Sequence, residues 1–404
     1  MPPATTLAVT LAASAGFAVA CVLYRKRRAR CSRILSPPLH GIGGMFEICI
    51  GCSDLDELET QVKYWKLFGY AEHPEETPRG QLSATQSEQL YGVRSNLISV
   101  RLFHSASRSD HGLVRLLCFT DVELRPSFVP ELDSLRYKGA RWGAMLTDNV
   151  FNILHHAEDV KAEGATIKWM GPHRSTIYKS IQPEAGGKTG DLALTAWSAT
   201  SACVRECVFF QPMAVQNCFQ RYEYSIAKYG HVDPSSKFKT SQITHFGLIS
   251  QGAYEEISFY EEVLGLLKTT PDEGKLFSYD DAEPGDCDIL GLKQKGDRFR
   301  TTNVDSPESS LDVRQYVSGR LHILRYAEDM PTPVEDKRDV SRPGTRGPCN
   351  YTLRVADATA MRAKIAKAKG VSCITETVQN EFGESSFSFV APDGYFWSVV
   401  EIAA

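Results

Sequence analysis

Four short amphipathic segments of this chain each run into a glycine, and the glycines recur at a nearly constant interval. Asp54 to Gly69 carries Leu55, Leu58, Val62 and Trp65 at helical spacing, and Asp148 to Gly164 carries Val150, Ile153, Ala157 and Val160. Ala253 to Gly265 carries Ile257, Tyr260 and Leu264, while Met361, Ile365 and Ala368 precede Gly370. Successive glycines lie 95, 101 and 105 residues apart. Apolar residues at this spacing form one helix face, and glycine takes the left-handed turn that ends a helix without Cβ strain. Three of the helices open at an aspartate, Asp54, Asp148 and Asp357, whose carboxylate accepts from the unpaired amides of the first turn. A short apolar strand precedes each helix: Met45 to Ile50, Trp142 to Leu146, Ile243 to Ile249 and Tyr351 to Val355. Strand-like runs follow, ending in Leu113 to Phe119, Cys203 to Phe210, Leu321 to Tyr326 and Phe396 to Ile402. The pattern restricts the chain to four related modules, each a strand, a helix and about three more strands.

The fold class is therefore α+β. Asn217 to Gln242, rich in Lys, Ser and aromatic residues and containing Asp233-Pro-Ser-Ser, is the best domain boundary. The expectation is that modules one and two pair as a domain over 44–216 and modules three and four over 243–404, with 217–242 as linker. The turn-rich stretch from Met330 to Gly347 joins the last two modules. One module cannot bury both faces of its sheet, so two are expected to curl around a shared interior, and that interior is the expected ligand site.

Composition narrows the class further. With 404 residues, 42% hydrophobic and 23% charged, the chain is neither fibrous nor disordered. A net charge of -4 gives none of the basic surface that nucleic-acid binding needs. The charge is unevenly spread: no acidic residue precedes Glu47, and Leu7 to Tyr24 is an apolar run followed by Arg25, Lys26, Arg27, Arg28 and Arg30. Residues 1–43 thus read as a single-pass transmembrane anchor with a basic flank, which places the folded part on the cytosolic side. A cleaved organellar presequence is the other reading of the same acid-poor, Arg-rich start. Eleven scattered cysteines are an odd number for a disulfide framework and fit a reducing compartment. Cys49 and Cys52 form a CxxC, but on a strand that spacing puts them on opposite faces, as core residues rather than a metal pair.

Thr244-His-Phe-Gly-Leu-Ile-Ser, Phe259-Tyr-Glu-Glu-Val-Leu-Gly-Leu and Ala391-Pro-Asp-Gly-Tyr-Phe-Trp occur in that order in modules three and four. Together they resemble the vicinal oxygen chelate superfamily, which includes glyoxalase I, extradiol dioxygenases and bleomycin-resistance proteins. Modules one and two match by period and by Tyr64-Trp-Lys-Leu-Phe-Gly-Tyr; residues 1–43 lie outside the resemblance. The resemblance implies two domains of paired βαβββ modules and, in members that use metal, ligands from the first and last strands pointing into the cup. A divalent ion there chelates two neighbouring substrate oxygens through its open positions.

By that resemblance His245, fourteen residues before Phe259, stands at the first-strand ligand position. The equivalent positions are Asn350 in module four, Glu47 in module one and Arg141 in module two. The family's last-strand Glu, four residues after the turn glycine, becomes Ser398, with Glu401 three further on. A regular strand turns Ser398 and Glu401 to opposite faces, so Glu401 reaches the cup only through a bulge. His322, on the last strand of module three, is a second candidate ligand. His245, His322 and Glu401 would make a two-histidine, one-carboxylate metal set, with His245 also the catalytic candidate and Asn350 and Ser398 lining the substrate site. His155 and His156 and the Gly-Lys-Thr of Ala185 to Gly190 are weaker candidates, read as surface or loop features, while Arg298, Arg300 and Arg314 either bind an acidic substrate or are simply solvated.

The resulting expectation is a membrane-anchored lyase, isomerase or dioxygenase acting on a small oxygenated organic substrate, with one divalent metal (Fe, Mn, Ni or Zn) in the C-terminal domain. The alternative is a metal-free ligand-binding or scaffolding protein. Expected partners are the small-molecule substrate and the membrane, with homodimerisation left open and nucleic acid excluded.

Overall fold

The computed structural model describes residues 38, 41–75, 77–105, 111–124, 136–147, 150–164, 167–178, 202–211, 214–221, 232–252, 254–268, 275–281, 290–307 and 319–402. The apolar run and its basic flank lie outside the described residues. Among the described residues no helix is long and apolar enough to cross a membrane.

Module one comprises β1 (Ile42–Cys52), α1 (Leu55–Lys66), β2 (Tyr70–Ala71), β3 (Gly80–Leu82), α2 (Ala84–Tyr91), β4 (Leu97–His104) and β5 (Leu113–Phe119). After the short β6 (Tyr137–Lys138), module two has β7 (Arg141–Thr147), α3 (Val150–Ala162), β8 (Lys168–Tyr178), β9 (Ala202–Gln211) and β10 (Ala214–Arg221). Module three has β11 (Thr240–Gln251), α4 (Glu255–Glu262), β12 (Leu267–Lys268), β13 (Lys275–Ser278), β14 (Arg298–Asp305) and β15 (Arg320–Tyr326). Then β16 (Glu335–Asp336) pairs with β6, and module four has β17 (Gly347–Val355), α5 (Ala358–Ile365), β18 (Val378–Gln379), β19 (Ser385–Val390) and β20 (Phe396–Glu401).

All four modules share one strand order: first strand, last strand, middle strand, then the strand that follows the helix. In each, the first and last strands run parallel. This is the βαβββ unit that the vicinal oxygen chelate resemblance implies. The local signals held at the helix ends. Asp54 accepts from the Glu57 amide and Asp357 from the Ala360 amide, both at 2.8 Å. Gly69, Gly164, Gly265 and Gly370 all have positive φ, from 84° to 97°. Asp148 lies outside the described residues.

The pairing of modules departs from chain order. β1 lies antiparallel to β17, and β7 antiparallel to β11, so module one shares a sheet with module four and module two with module three. The expected divisions at 44–216 and 243–404 therefore do not follow the sheets. Side-chain complementarity accounts for this. Glu47 of β1 stands opposite Thr352 of β17, polar against polar. In the other sheet Trp142 of β7 lies flat on Gly247 of β11, where a Cβ would fall 1.8 Å from the indole. The expected linker is also shorter than 217–242. The last strand of module two is β10, Cys203 to Phe210 being part of the middle strand β9, and β11 already begins at Thr240.

The two sheets are held together by the same motifs that carry the resemblance. Tyr260 of α4 donates to Asp393 Oδ2 at 2.6 Å, and the Trp397 indole donates to the Tyr260 hydroxyl at 3.2 Å. Tyr351 of β17 donates to the Gly247 carbonyl at 2.6 Å and accepts from the Trp142 amide at 3.0 Å, so a module-four side chain fills the β7–β11 junction. Tyr260, Tyr351 and Trp397 belong to one continuous apolar core with Trp65, Tyr70 and Phe246.

Two predictions follow from this packing. Gly247→Ala forces the Trp142 indole out of its seat and should cost about 3 kcal/mol by overpacking, measured as a lower urea midpoint at unchanged m-value. Burial pushes the Asp393 carboxyl up to about 6 despite the Tyr260 hydrogen bond. A carboxyl whose folded pKa lies above its unfolded value of 3.8 favours the folded state when protonated, so its contribution falls as pH rises from about 4 to about 6. Asp393→Asn should flatten that part of the stability-versus-pH curve relative to the parent chain.

Candidate functional site

The inner face of the first sheet holds a buried charge cluster. Arg101 of β4 and Arg115 of β5 stand directly opposite one another, an arrangement that repels unless an anion intervenes. Glu47 of β1 supplies it: Oε1 accepts from Arg101 Nε at 2.5 Å and Oε2 from Arg115 Nε at 2.9 Å. Each guanidinium also takes a second carboxylate from the turn between β18 and β19. Glu384 accepts both terminal nitrogens of Arg101 at 2.7 and 2.8 Å, and Glu381 accepts from Arg115 at 2.9 Å. Tyr91 of α2 donates to Glu381 at 3.0 Å and accepts from Arg115 at 3.0 Å. Glu47, Arg101 and Arg115 are at most 2% exposed. Burial alone would raise the Glu384 carboxyl, but the Arg101 pairing outweighs it and holds the group below its ordinary value.

Asn350 and Ser398, the expected substrate-binding pair, face the same interior and touch: Asn350 Nδ2 donates to Ser398 Oγ at 2.7 Å, and Ser388 Oγ lies 2.9 Å from Ser398 Oγ. Asn350 Oδ1 and the Ser99 hydroxyl are buried with no partner.

The histidines lie in the second sheet. His245 on β11 and His322 on β15 share a face, because β15 runs parallel to β11 with His245 level with Arg320 and Gly247 level with His322. Their rings are edge to face with centroids 6.5 Å apart. His322 Nδ1 lies 2.5 Å from Asn303 Oδ1, its cross-strand neighbour on β14. An amide oxygen only accepts, so Nδ1 of His322 carries the proton. His245 Nδ1 lies 2.8 Å from the Thr244 hydroxyl, which also reaches the Ala144 carbonyl at 3.3 Å. Beside them Arg320 donates to both oxygens of buried Asp305, at 3.0 and 3.1 Å. Toward the other end this face turns apolar, with Trp142, Ile249, Phe299, Leu324 and Tyr326 in one cluster.

Glu401 does not join them. It lies on β20 in the first sheet, where its carboxylate accepts from the Ala358 amide at 2.9 Å and caps α5. The bulge that would have turned it inward is absent, since β20 pairs without a register break on both sides. Both imidazoles are held through Nδ1. A metal site needs at least three donors, and among the described residues no cluster of three His, Cys, Asp or Glu side chains occurs. The described residues therefore do not complete the expected metal set.

The remaining candidates stand apart. Cys49 and Cys52 fall in different core clusters on opposite faces of β1, and burial pushes the Cys49 thiol up to about 11. His155 is exposed on α3, His156 lies 3.6 Å from Asp159, and Arg298 pairs with Asp329 at 2.6 Å. The Gly-Lys-Thr loop and Arg314 lie outside the described residues. The charge cluster of the first sheet was missed in the sequence, although its signal was present: Arg101 and Arg115 are arginines inside largely apolar strands.

No protein-family model and no curated protein sequence matches the chain. Solved structures that resemble it include glyoxalase I from Zea mays, at 12% identity and TM-score 0.48 over 89% of this chain and 92% of that one. A glyoxalase family protein from Bacillus cereus aligns at 18% identity and TM-score 0.30 over 38% of this chain and 89% of its own. A member of the glyoxalase, bleomycin resistance protein and dioxygenase superfamily from Sphaerobacter thermophilus aligns at 14% identity and TM-score 0.22, over 39% and 94%. Likenesses of this strength say nothing of activity.

Glu47→Gln would leave two buried guanidiniums facing each other across β4 and β5. Loss of one member of such a cluster should cost about 3–5 kcal/mol, read by chemical denaturation, and should exceed the loss from Glu401→Gln at the capped end of α5.

Proposed function

We propose that this chain is a membrane-anchored enzyme of the glyoxalase-like and dioxygenase-like kind, acting on a small oxygenated organic molecule at the histidine end of the second sheet. The observation that carries this reading is the His245–His322 pair, two imidazoles on one face of adjacent strands, each with its Nδ1 set against an oxygen. Asn303 holds His322 as the Nδ1–H tautomer, which makes Nε2 its basic nitrogen. The aromatic end of the same face, with Trp142, Phe299 and Tyr326, supplies an apolar wall for the carbon skeleton of a substrate.

In this reading His245 takes a proton from a substrate carbon next to a carbonyl and returns it to the neighbouring atom, an isomerisation that balances without a co-reactant. The residues carry the proton, and Thr244 and Asn303 keep the rings in place. The apolar run and basic flank before residue 43 support anchoring with the folded part toward the cytosol. A ligand-binding protein without catalysis is the second reading, favoured by the first sheet, whose corresponding positions are Glu47, Asn350 and Ser398 rather than histidines.

The test is turnover by the full chain in detergent on a panel of thiol adducts of 2-oxoaldehydes, with and without a chelator. His245→Gln should lower kcat by about 10²- to 10⁴-fold at nearly unchanged melting temperature, and the chelator should have no effect. Activity lost to the chelator and restored by Fe, Mn, Ni or Zn would transfer the role to a metal, and full turnover in His245→Gln would remove the histidine from the chemistry.

A further inference from the structure

The inner face of the first sheet carries more polar apparatus than a packed core needs. Arg115, Cys49 and Asn350 form one row across β5, β1 and β17, with Arg101 beside Arg115 and Ser398 beside Asn350. Two of the side chains on this face, Asn350 and Ser99, are fully buried and present a polar atom with no partner, Asn350 Oδ1 and Ser99 Oγ. A buried polar atom left unpaired is costly and calls for an explanation beyond packing.

The carboxylates that complete the cluster come from two kinds of place. Glu47 belongs to the central strand, whereas Glu381 and Glu384 belong to a turn that also braces itself. Asn380 Oδ1 accepts the amides of Phe382 and Glu384 at 2.9 and 3.0 Å, and Asn380 Nδ2 donates to Glu384 at 2.9 Å. Gly383 turns the chain at φ +76°. The turn joins β18, a two-residue strand at the sheet edge, to β19. It reaches the rest of the cup through Glu381, Glu384 and the Phe382 ring, which lies 4.2 Å from the Arg101 guanidinium. A self-braced turn with one arm only two residues long can swing on its β19 side as one body.

We propose that the first cup is a binding site for a small dicarboxylic acid, held shut by the 380–384 turn, with Glu384 and Glu381 standing where the two ligand carboxylates bind Arg101 and Arg115. The geometry fits: Glu384 meets Arg101 through two parallel bonds, the fork that any planar carboxylate makes with guanidinium. Charge fits too, because exchanging two glutamates for one dianion leaves the cluster's net charge unchanged. The Ser99 hydroxyl, two residues from Arg101 on the same face of β4, is then a partner for a ligand hydroxyl or keto group. This inference stands apart from the histidine site and does not rest on it.

The test uses the full chain in detergent and malate as probe, with lactate as the single-carboxylate control, followed by calorimetry and by hydrogen exchange of the turn. Malate should bind saturably, at least about tenfold more tightly than lactate, and should speed exchange at 381–384 as the turn is displaced. Glu384→Gln keeps the turn's shape but weakens the competing charge, and should bind malate about tenfold more tightly than the parent chain. Arg101→Gln should lose binding; should that variant not fold, the Glu384→Gln and exchange results decide. Absence of saturable malate binding to both the parent chain and Glu384→Gln at about 10 mM would overturn the proposal. Equal affinity of the two proteins, or slower exchange of the turn on binding, would overturn it as well.

Discussion

Everything else in this molecule depends on the antiparallel contact between first strands, β1 with β17 and β7 with β11. Each module offers one uncovered strand edge, and closing these edges against one another joins four half-sheets into two. Cys49 and Thr352, 303 positions apart, meet side by side as a result. The inner face of the first sheet is thus assembled from the two ends of the chain, and that of the second from its middle. Contacts of such separation place a heavy loop-closure cost ahead of any reward. The tyrosine hydroxyls of Tyr351 and Tyr260, which bond across from one sheet to the other, tie the two closures into a common core.

The same topology, used twice, has produced two unlike interiors. In the first, Glu47 sits between two arginines, and the surrounding carboxylates cancel a pair of like charges that the cross-strand register forces together. Such a cluster is costly to desolvate and expensive to break, so it specifies one register of strands while adding little net stability. In the second, Gly247 lets Trp142 lie against the sheet, and the histidines occupy the neighbouring positions on the same face. This face has a polar end with two imidazoles and an aromatic end. The two faces differ in what they carry: a charge cluster in one, two imidazoles in the other.

Much of the architecture was legible in the chain. The period of the four glycines gave the modules, Asp54 and Asp357 gave two helix starts, and Cys49 and Cys52 fell on opposite faces as their spacing required. The His245–His322 pairing was legible as well, since both lie on strands of one module whose first and last members are parallel neighbours. Glu401 was not, because its direction turned on whether β20 bulges, and β20 is regular. Nor was β10, whose polar residues at 216, 217 and 220 resemble a loop until its pairing with β7 and β9 is seen.

Helices, caps, turns and strand faces follow from residues two to four positions apart, and these interactions are written in the order of the amino acids. Which module closes against which is a different kind of fact. It depends on whether Glu47 finds Arg101, Arg115 and Thr352, and whether Trp142 finds Gly247, matches between residues up to hundreds of positions apart that no local period encodes. Only when the strands are laid side by side do those side chains share one face, and only then does the chain acquire its two interiors.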